Sequence, residues 1–257
     1  MFHFCNFFLN LNVFVRKWYD QRHNPKICEV NMDYQKFVNL LPTLYENWGQ
    51  ETVQPKNNGF RQVKEQISCM TTVNVMQVLN FAVSCMELDE AYCEVGCFQG
   101  GTLVGALLNN PGRTAYAVDN FSLFDHSGEN LTILKNNLSN FGLTNQVIFN
   151  NQSMEDFFLK LKEVKATTKK FGVYLYDGAH DYRSQLLGLM FAKPFLAAQA
   201  LIIVDDTNWK DVSQANNDFI DTHPQCQLLL DLPTAVVNCE QTFWNGIQVL
   251  SWDANRL

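Results

Sequence analysis

The chain predicts an α/β protein, in which a seven-stranded, mostly parallel sheet with an antiparallel last strand carries helices on both faces. Three observations lead there. From Ala91 onward, short apolar runs alternate with helical stretches, the pattern of strands joined by crossover helices. Two of these runs, Val173–Tyr176 and Leu201–Val204, are uninterrupted and rich in β-branched or aromatic residues, as strands buried on both faces are. The final two runs are separated only by the turn-rich segment Pro233–Thr242, too irregular for a crossover helix, so they form an antiparallel hairpin.

Taken in order, the expected strands are Ala91–Val95, Thr114–Val118, Val147–Asn150, Gly172–Tyr176, Ala200–Val204, Cys226–Leu230 and Gly246–Trp252. Helices are expected at Gly101–Leu108, Glu129–Phe141, Met154–Lys162, Asp181–Phe195 and Asp211–Thr222. Residues 32–89 read as a helical cap without strands. Asp33 to Trp48 has helical spacing broken around Pro42, a polar loop runs from Gln50 to Gly59, and Thr71-Thr72 offers an N-cap before Val73–Met86. Residues 90–257 then form the main domain. Residues 1–31 could be an optional extension or a product of start-site choice, with Met32 the natural start. The Phe- and Leu-rich stretch Phe2–Val15 precedes Arg16 and Lys17, the reverse of a signal peptide's order. This stretch is expected to offer a contact surface should the chain form a homo-oligomer.

The bulk numbers exclude several classes. A net charge of -7 and no basic stripe argue against nucleic acid as a partner. No apolar run approaches the ~18 residues of a membrane span. Eight cysteines without a CxxC pair point to a reduced, cytoplasmic chain. No Gly-x-Ser-x-Gly or His-Glu-x-x-His occurs, which removes serine hydrolase and zinc protease readings.

Two groups of residues carry chemistry. The first strand runs into Glu94-Val-Gly96-Cys-Phe-Gln-Gly100-Gly101, a glycine turn that lets backbone approach a ligand. Its spacing is not the Gly-x-Gly-x-x-Gly of a pyrophosphate cradle, and by itself it could be a plain strand-to-helix turn. The second strand ends in Asp119, where an acid can accept hydrogen bonds from both hydroxyls of a ribose, and Phe121 can flank an adenine. Gln152 and Ser153 follow the third strand, placed to meet the adenine edge. In that order the three features suggest a nucleoside without pyrophosphate.

The second group is acidic. Asp177-Gly-Ala-His180 follows one buried strand and Asp205-Asp206 the next. Both lie at the strands' C-terminal ends, where open α/β sheets bind ligands. Three carboxylates and an imidazole gathered there repel one another unless a cation or a proton sits between them. The bland readings are that Asp177 caps the helix beginning near Asp181, that Asp205 and Asp206 are loop acids, and that His180 only hydrogen-bonds one of them. Asn208-Trp209 could line an acceptor pocket or simply pack. His126 reads as a surface residue and His223 as a helix-end residue.

Residues 91–206 resemble a class I S-adenosylmethionine-dependent methyltransferase, a Rossmann-like fold whose seventh strand is reversed. The resemblance implies that Glu94, Gly96, Gly100 and Gly101 border the methionine part of S-adenosyl-L-methionine, Asp119 and Phe121 the ribose and adenine, and Gln152 and Ser153 the adenine edge. Many relatives carry an acid at the position of Gln152. The acid cluster resembles the Mg-dependent small-molecule O-methyltransferases that act on macrolide sugars. That likeness implies Asp177, Asp205 and Asp206 as ligands of Mg2+ or Mn2+ and His180, with Asp177, as the catalytic pair, His180 being the general base. The expected activity is O-methylation of a small hydroxylated acceptor such as a sugar or glycosylated natural product. The rivals are a hydroxylase-like enzyme on the same fold and an inactive ligand-binding or assembly protein.

Overall fold

A computed structural model of the chain describes residues 32–164 and 169–257; the 1–31 extension, with its expected contact surface, lies outside them. Residues 32–257 form one compact unit.

The chain enters through α1 (Tyr34–Leu40), which Asp33 caps by accepting the Lys36 N–H at 2.8 Å. Pro42 then tightens the backbone into a 3-10 turn at Leu41–Leu44. The expectation of a strand-free cap is corrected here. Tyr45–Glu46 (β1) and Gln54–Pro55 (β2) pair as a two-stranded antiparallel ribbon. Two residues per strand are too short for a period-2 pattern to be visible. Helices α2 (Gly59–Gln66) and α3 (Val73–Ser84) complete the segment. Thr72 caps α3 as expected, its hydroxyl accepting the Val75 N–H.

The main domain alternates β3 (Ala91–Val95), α4 (Gly101–Leu107), β4 (Thr114–Asp119), α5 (Asn130–Asn140), β5 (Val147–Asn151), α6 (Met154–Glu163), β6 (Phe171–Tyr176), α7 (Tyr182–Ala192), β7 (Leu196–Val204), α8 (Lys210–Thr222), β8 (Cys226–Leu232) and β9 (Ile247–Asp253). The sheet order is β5-β4-β3-β6-β7-β9-β8. The first five strands pair in parallel, and β9 is antiparallel to both β7 and β8. Every residue of β3 and β6 is buried; β6 therefore reads as a continuous apolar run, while β3 buries Glu94 among its apolar residues.

Alternating strand residues feed two cores. One, between the sheet and the helices α3, α4 and α5, includes Leu79, Leu103, Leu134, Val173 and Ile203. The other, beneath α6, α7 and α8, includes Phe157, Leu189, Phe219, Tyr174 and Trp252. Parallel strands all place their C-terminal ends along one edge. The turns after β3, β4, β6 and β7, and the β8–β9 loop, therefore meet there. Among the described residues no helix is long and apolar enough to cross a membrane.

Candidate active site

The turn after β3 is built around a close approach. Gly96 has φ +86, and a Cβ there would lie 1.8 Å from the Asp177 carbonyl oxygen. Only glycine lets the β3 turn and the β6 turn touch, so the two residue groups of the sequence are joined at this point. Gly100 starts α4 at φ +90, while Gly101 is crowded against Cys69 of the cap. The structure thus places Gly101 in a packing contact between the turn and the cap.

Glu94 is completely buried. One carboxylate oxygen accepts the Tyr92 hydroxyl and the other the Thr102 hydroxyl, each at 2.6 Å. Burial raises its pKa from 4.5 to about 7, against the two hydroxyls, which favour the charged form. Both partners were missed from sequence, although Tyr92 lies two residues away on the same strand face.

Asp119 stands at the end of β4, half-buried. Its oxygens accept the Phe98 and Phe121 N–H groups, each at 2.8 Å. These two bonds orient the carboxylate and leave further lone pairs for hydroxyl donors. Phe121 itself has φ 52 and lies 5.7 Å from the Phe149 ring. The polar group after β5 is occupied differently. Ser153 caps α6 by accepting the Asp156 N–H at 3.1 Å, and the Gln152 side-chain oxygen accepts from Lys160. Gln152 also borders a cavity with Tyr116, Asn150 and Leu161, on the α6 face of the edge strand and away from the acids.

In the acid cluster, the Asp177 N–H donates to the Val95 carbonyl and the Asp205 N–H to the Tyr176 carbonyl. Each acid is thereby fixed to the strand beside it. The structure brings Asp177, His180 and Asp206 together, one ligand atom of each lying within 4.8 Å of the others. His180 Nε2 sits 2.6 Å from an Asp206 oxygen. Its ring is nearly parallel to the half-exposed Trp209 indole, at 15° and 6.4 Å between centroids. Asp205 is adjacent rather than convergent, and one of its oxygens accepts the Asp206 N–H at 2.9 Å. The helix cap once open to Asp177 is supplied instead by Asp181, which accepts the Ser184 N–H.

The electrostatics show a site short of positive charge. Burial, then Asp205 and Asp206, push the Asp177 carboxyl well above the usual range. Burial and Asp206 do the same for Asp205. The hydrogen bond to Asp206 raises the His180 pKa, opposed by burial. A divalent cation fits this donor set: hard carboxylate oxygens are what Mg2+ and Mn2+ prefer.

Asn245, in the β8–β9 loop, is the site residue the sequence did not announce. Its amide donates to the second Asp206 oxygen at 2.6 Å. An Asn before Gly246 reads simply as a turn, and only the fold carries it to Asp206.

A parallel sheet with a reversed strand next to the edge, a glycine turn after β3 and an acid ending β4 are together the architecture of class I S-adenosylmethionine-dependent methyltransferases. Residues 93–207 match the family model of a methyltransferase domain. Over that stretch the chain is similar to methyltransferase domains, and its fold is theirs. No curated protein matches it in sequence. Among solved structures, it is similar to the O-methyltransferase from Bacillus cereus in complex with SAH, at 12% identity and TM-score 0.59, covering 77% of this chain and 92% of that one. TomG, the O-methyltransferase from Streptomyces achromogenes involved in tomaymycin synthesis, was solved in complex with SAM. It gives 12% and 0.57, covering 78% and 91%. The SAH-bound Podospora anserina methyltransferase PaMTH1 gives 11% and 0.50, covering 98% and 100%. At these identities the likeness speaks to the fold alone.

Proposed function

We propose that this protein transfers a methyl group from S-adenosylmethionine to a hydroxyl of a small molecule, such as a sugar or glycosylated natural product, with a divalent cation at the acids. The observation that carries this reading is the convergence of Asp177, His180 and Asp206 directly beside the Gly96 turn. The donor supplies an activated methyl group, and Mg2+ or Mn2+ lowers the pKa of a hydroxyl bound to it. The chain's residues do the rest. Asp119 offers its remaining lone pairs to ribose hydroxyls, and Gly96 lets the backbone of the turn face the methionine part. Asp177 and Asp206 would hold the cation, while Asp205 adds negative charge and fixes the turn. His180, oriented by Asp206, accepts the proton that the acceptor hydroxyl must lose, and Trp209 walls the imidazole on its exposed side. Residues 32–89 cover the cofactor edge, with Cys69 packed on Gly101 and the Thr72 and Asn74 side chains donating to the Thr242 carbonyl of the β8–β9 loop.

Calorimetry with S-adenosylhomocysteine, with and without Mg2+, tests the reading. Binding of the nucleoside and a separate Mg2+ heat that Asp177→Asn abolishes are expected, with His180→Ala lowering kcat by about 10²–10⁴. Absence of nucleoside binding would sink the donor assignment. Turnover indifferent to chelators would sink the metal.

A further inference from the structure

We infer that Asn245 is the positioning residue of this site: it fixes which Asp206 oxygen faces His180, and so makes the β8–β9 loop part of the catalytic apparatus. The inference deepens the proposed use of Asp206 and His180 and rests on it.

Asp206 sits at φ 59, a strained backbone for a non-glycine residue, and its side chain is 4% exposed. A carboxylate on such a turn can swing about its own axis unless both oxygens are held. One oxygen faces His180 Nε2; the other accepts the Asn245 amide. Asn245 is 5% exposed, and its side-chain oxygen accepts the Asn238 N–H at 2.6 Å, which defines the amide's orientation. With its oxygen taken by a donor, the amide must present N–H to Asp206.

The loop is tied to the acid turn along its length. The Asn208 N–H donates to the Asn245 carbonyl at 2.8 Å and the Thr207 N–H to the Gly246 carbonyl at 3.2 Å. The Asn208 amide donates to the Thr234 carbonyl at 2.7 Å. Gly246 has φ +91, and a Cβ there would strike the Asn208 side-chain oxygen at 2.4 Å. The close apposition is therefore built into the backbone of both segments. On its outer side the loop is held by Lys64 of the cap, which pairs with Glu240 at 3.0 Å. A neutral amide suits this place. It donates one hydrogen bond without neutralising Asp206, whose charge stays available to His180 and to a cation. A Lys or Arg there would compete with both.

The test compares the unaltered protein with Asn245→Asp, which keeps the shape and removes the donor, and Asn245→Ala. S-adenosylhomocysteine affinity is expected to stay within twofold, since that site lies at the β3 and β4 turns. Mn2+ affinity, read by electron paramagnetic resonance without acceptor, and kcat are each expected to fall 10–100-fold, the usual effect of losing a group that orients a metal ligand. The downfield imidazole proton of the His180–Asp206 bond should broaden or vanish in both variants. Variants with unchanged Mn2+ affinity and an unchanged imidazole proton overturn the inference. So does an Asn245 side-chain amide proton that exchanges at the free-solvent rate in the unaltered protein, a measurement needing no variant. If the protein proves not to methylate, the imidazole and exchange readouts still decide the role of Asn245. Failure of the enzyme reading is thus distinguishable from failure of this one.

Discussion

The two halves of the site are held by opposite means. On the donor side, the acids are satisfied by neutral groups: Asp119 by two backbone N–H groups, Glu94 by two hydroxyls. On the proposed acceptor side, Asp177 and Asp206 converge with one imidazole and one amide, and Asp205 lies beside them. The first half is complete without a ligand. In the second, burial first and then the neighbouring acids raise the Asp177 and Asp205 carboxyls. Rigid dipoles suit a nucleoside bound the same way in each cycle. On the proposed reading, excess negative charge suits a cation.

The largest effect is expected where the halves touch. Gly96→Ala drives a Cβ into the Asp177 backbone at a φ that disfavours any side chain. Either turn must then move, and destabilisation of more than about 4 kcal/mol is expected, the range of severe steric lesions. Urea unfolding measures it. A variant of near-native stability that still binds S-adenosylhomocysteine would show that the halves are not welded at this point.

Next is the buried acid of the donor half. Glu94 is raised in the folded state from 4.5 to about 7. The folded state therefore holds a proton that the unfolded chain releases at lower pH. Its contribution is fully present below about pH 4.5 and is lost as pH rises through about 7. The change amounts to about 3 kcal/mol at 1.36 kcal/mol per pH unit of difference. Glu94→Gln removes this component. Between pH 4.5 and 8 the stability of the Gln variant relative to the unaltered protein should improve by about that amount, read from urea curves across the range. Parallel curves would mean that Glu94 titrates alike in the folded and unfolded chain.

The acceptor half should respond to cations instead. Mg2+ at 100 times its Kd is expected to stabilise the fold by about 2.7 kcal/mol. Asp206→Asn should remove most of this gain while leaving nucleoside binding intact. A thermal melt with and without Mg2+ reads it, and equal gains in both proteins would place the ion elsewhere.

The donor half was the more legible in sequence, and the contrast explains why. Its residues lie on or just past strands, where period and position coincide: Ala91–Val95 and the placement of Asp119 follow from pattern alone. β7 proved longer than expected, starting at Leu196, because Ala197–Gln199 extend along the sheet without a strong apolar signature. Helix α7 ended at Ala192, where Pro194 tightens the chain into a 3-10 turn. In the acceptor half the acids were visible, but their division of labour was not. That Asp206 converges on His180 while Asp205 turns to backbone depends on the positive φ at Asp206, which no residue type there announces. Asn245 was hidden for a related reason, since 39 residues separate it from Asp206.

The smallest expected effect concerns the edge of the donor half, where the adenine contact was expected at Gln152 and Ser153. Ser153 has extended backbone and its hydroxyl accepts the Asp156 N–H, while Glu155 and Asp156 lie in the first turn of α6. That is an N-cap, and losing one costs about 1 kcal/mol. Ser153→Ala should therefore lower Tm by about 2–4 °C for a chain of this size. If capping is its whole task, S-adenosylhomocysteine affinity stays unchanged. A hydroxyl that also met the adenine edge would add a loss of binding, because a neutral hydrogen bond contributes about 0.5–1.5 kcal/mol, or up to roughly tenfold in affinity. The two measurements together separate a helix start from a ligand contact. A drop in affinity without a drop in Tm would assign Ser153 to the nucleoside. It would also extend the donor half's rule, neutral groups only, to its outermost residue.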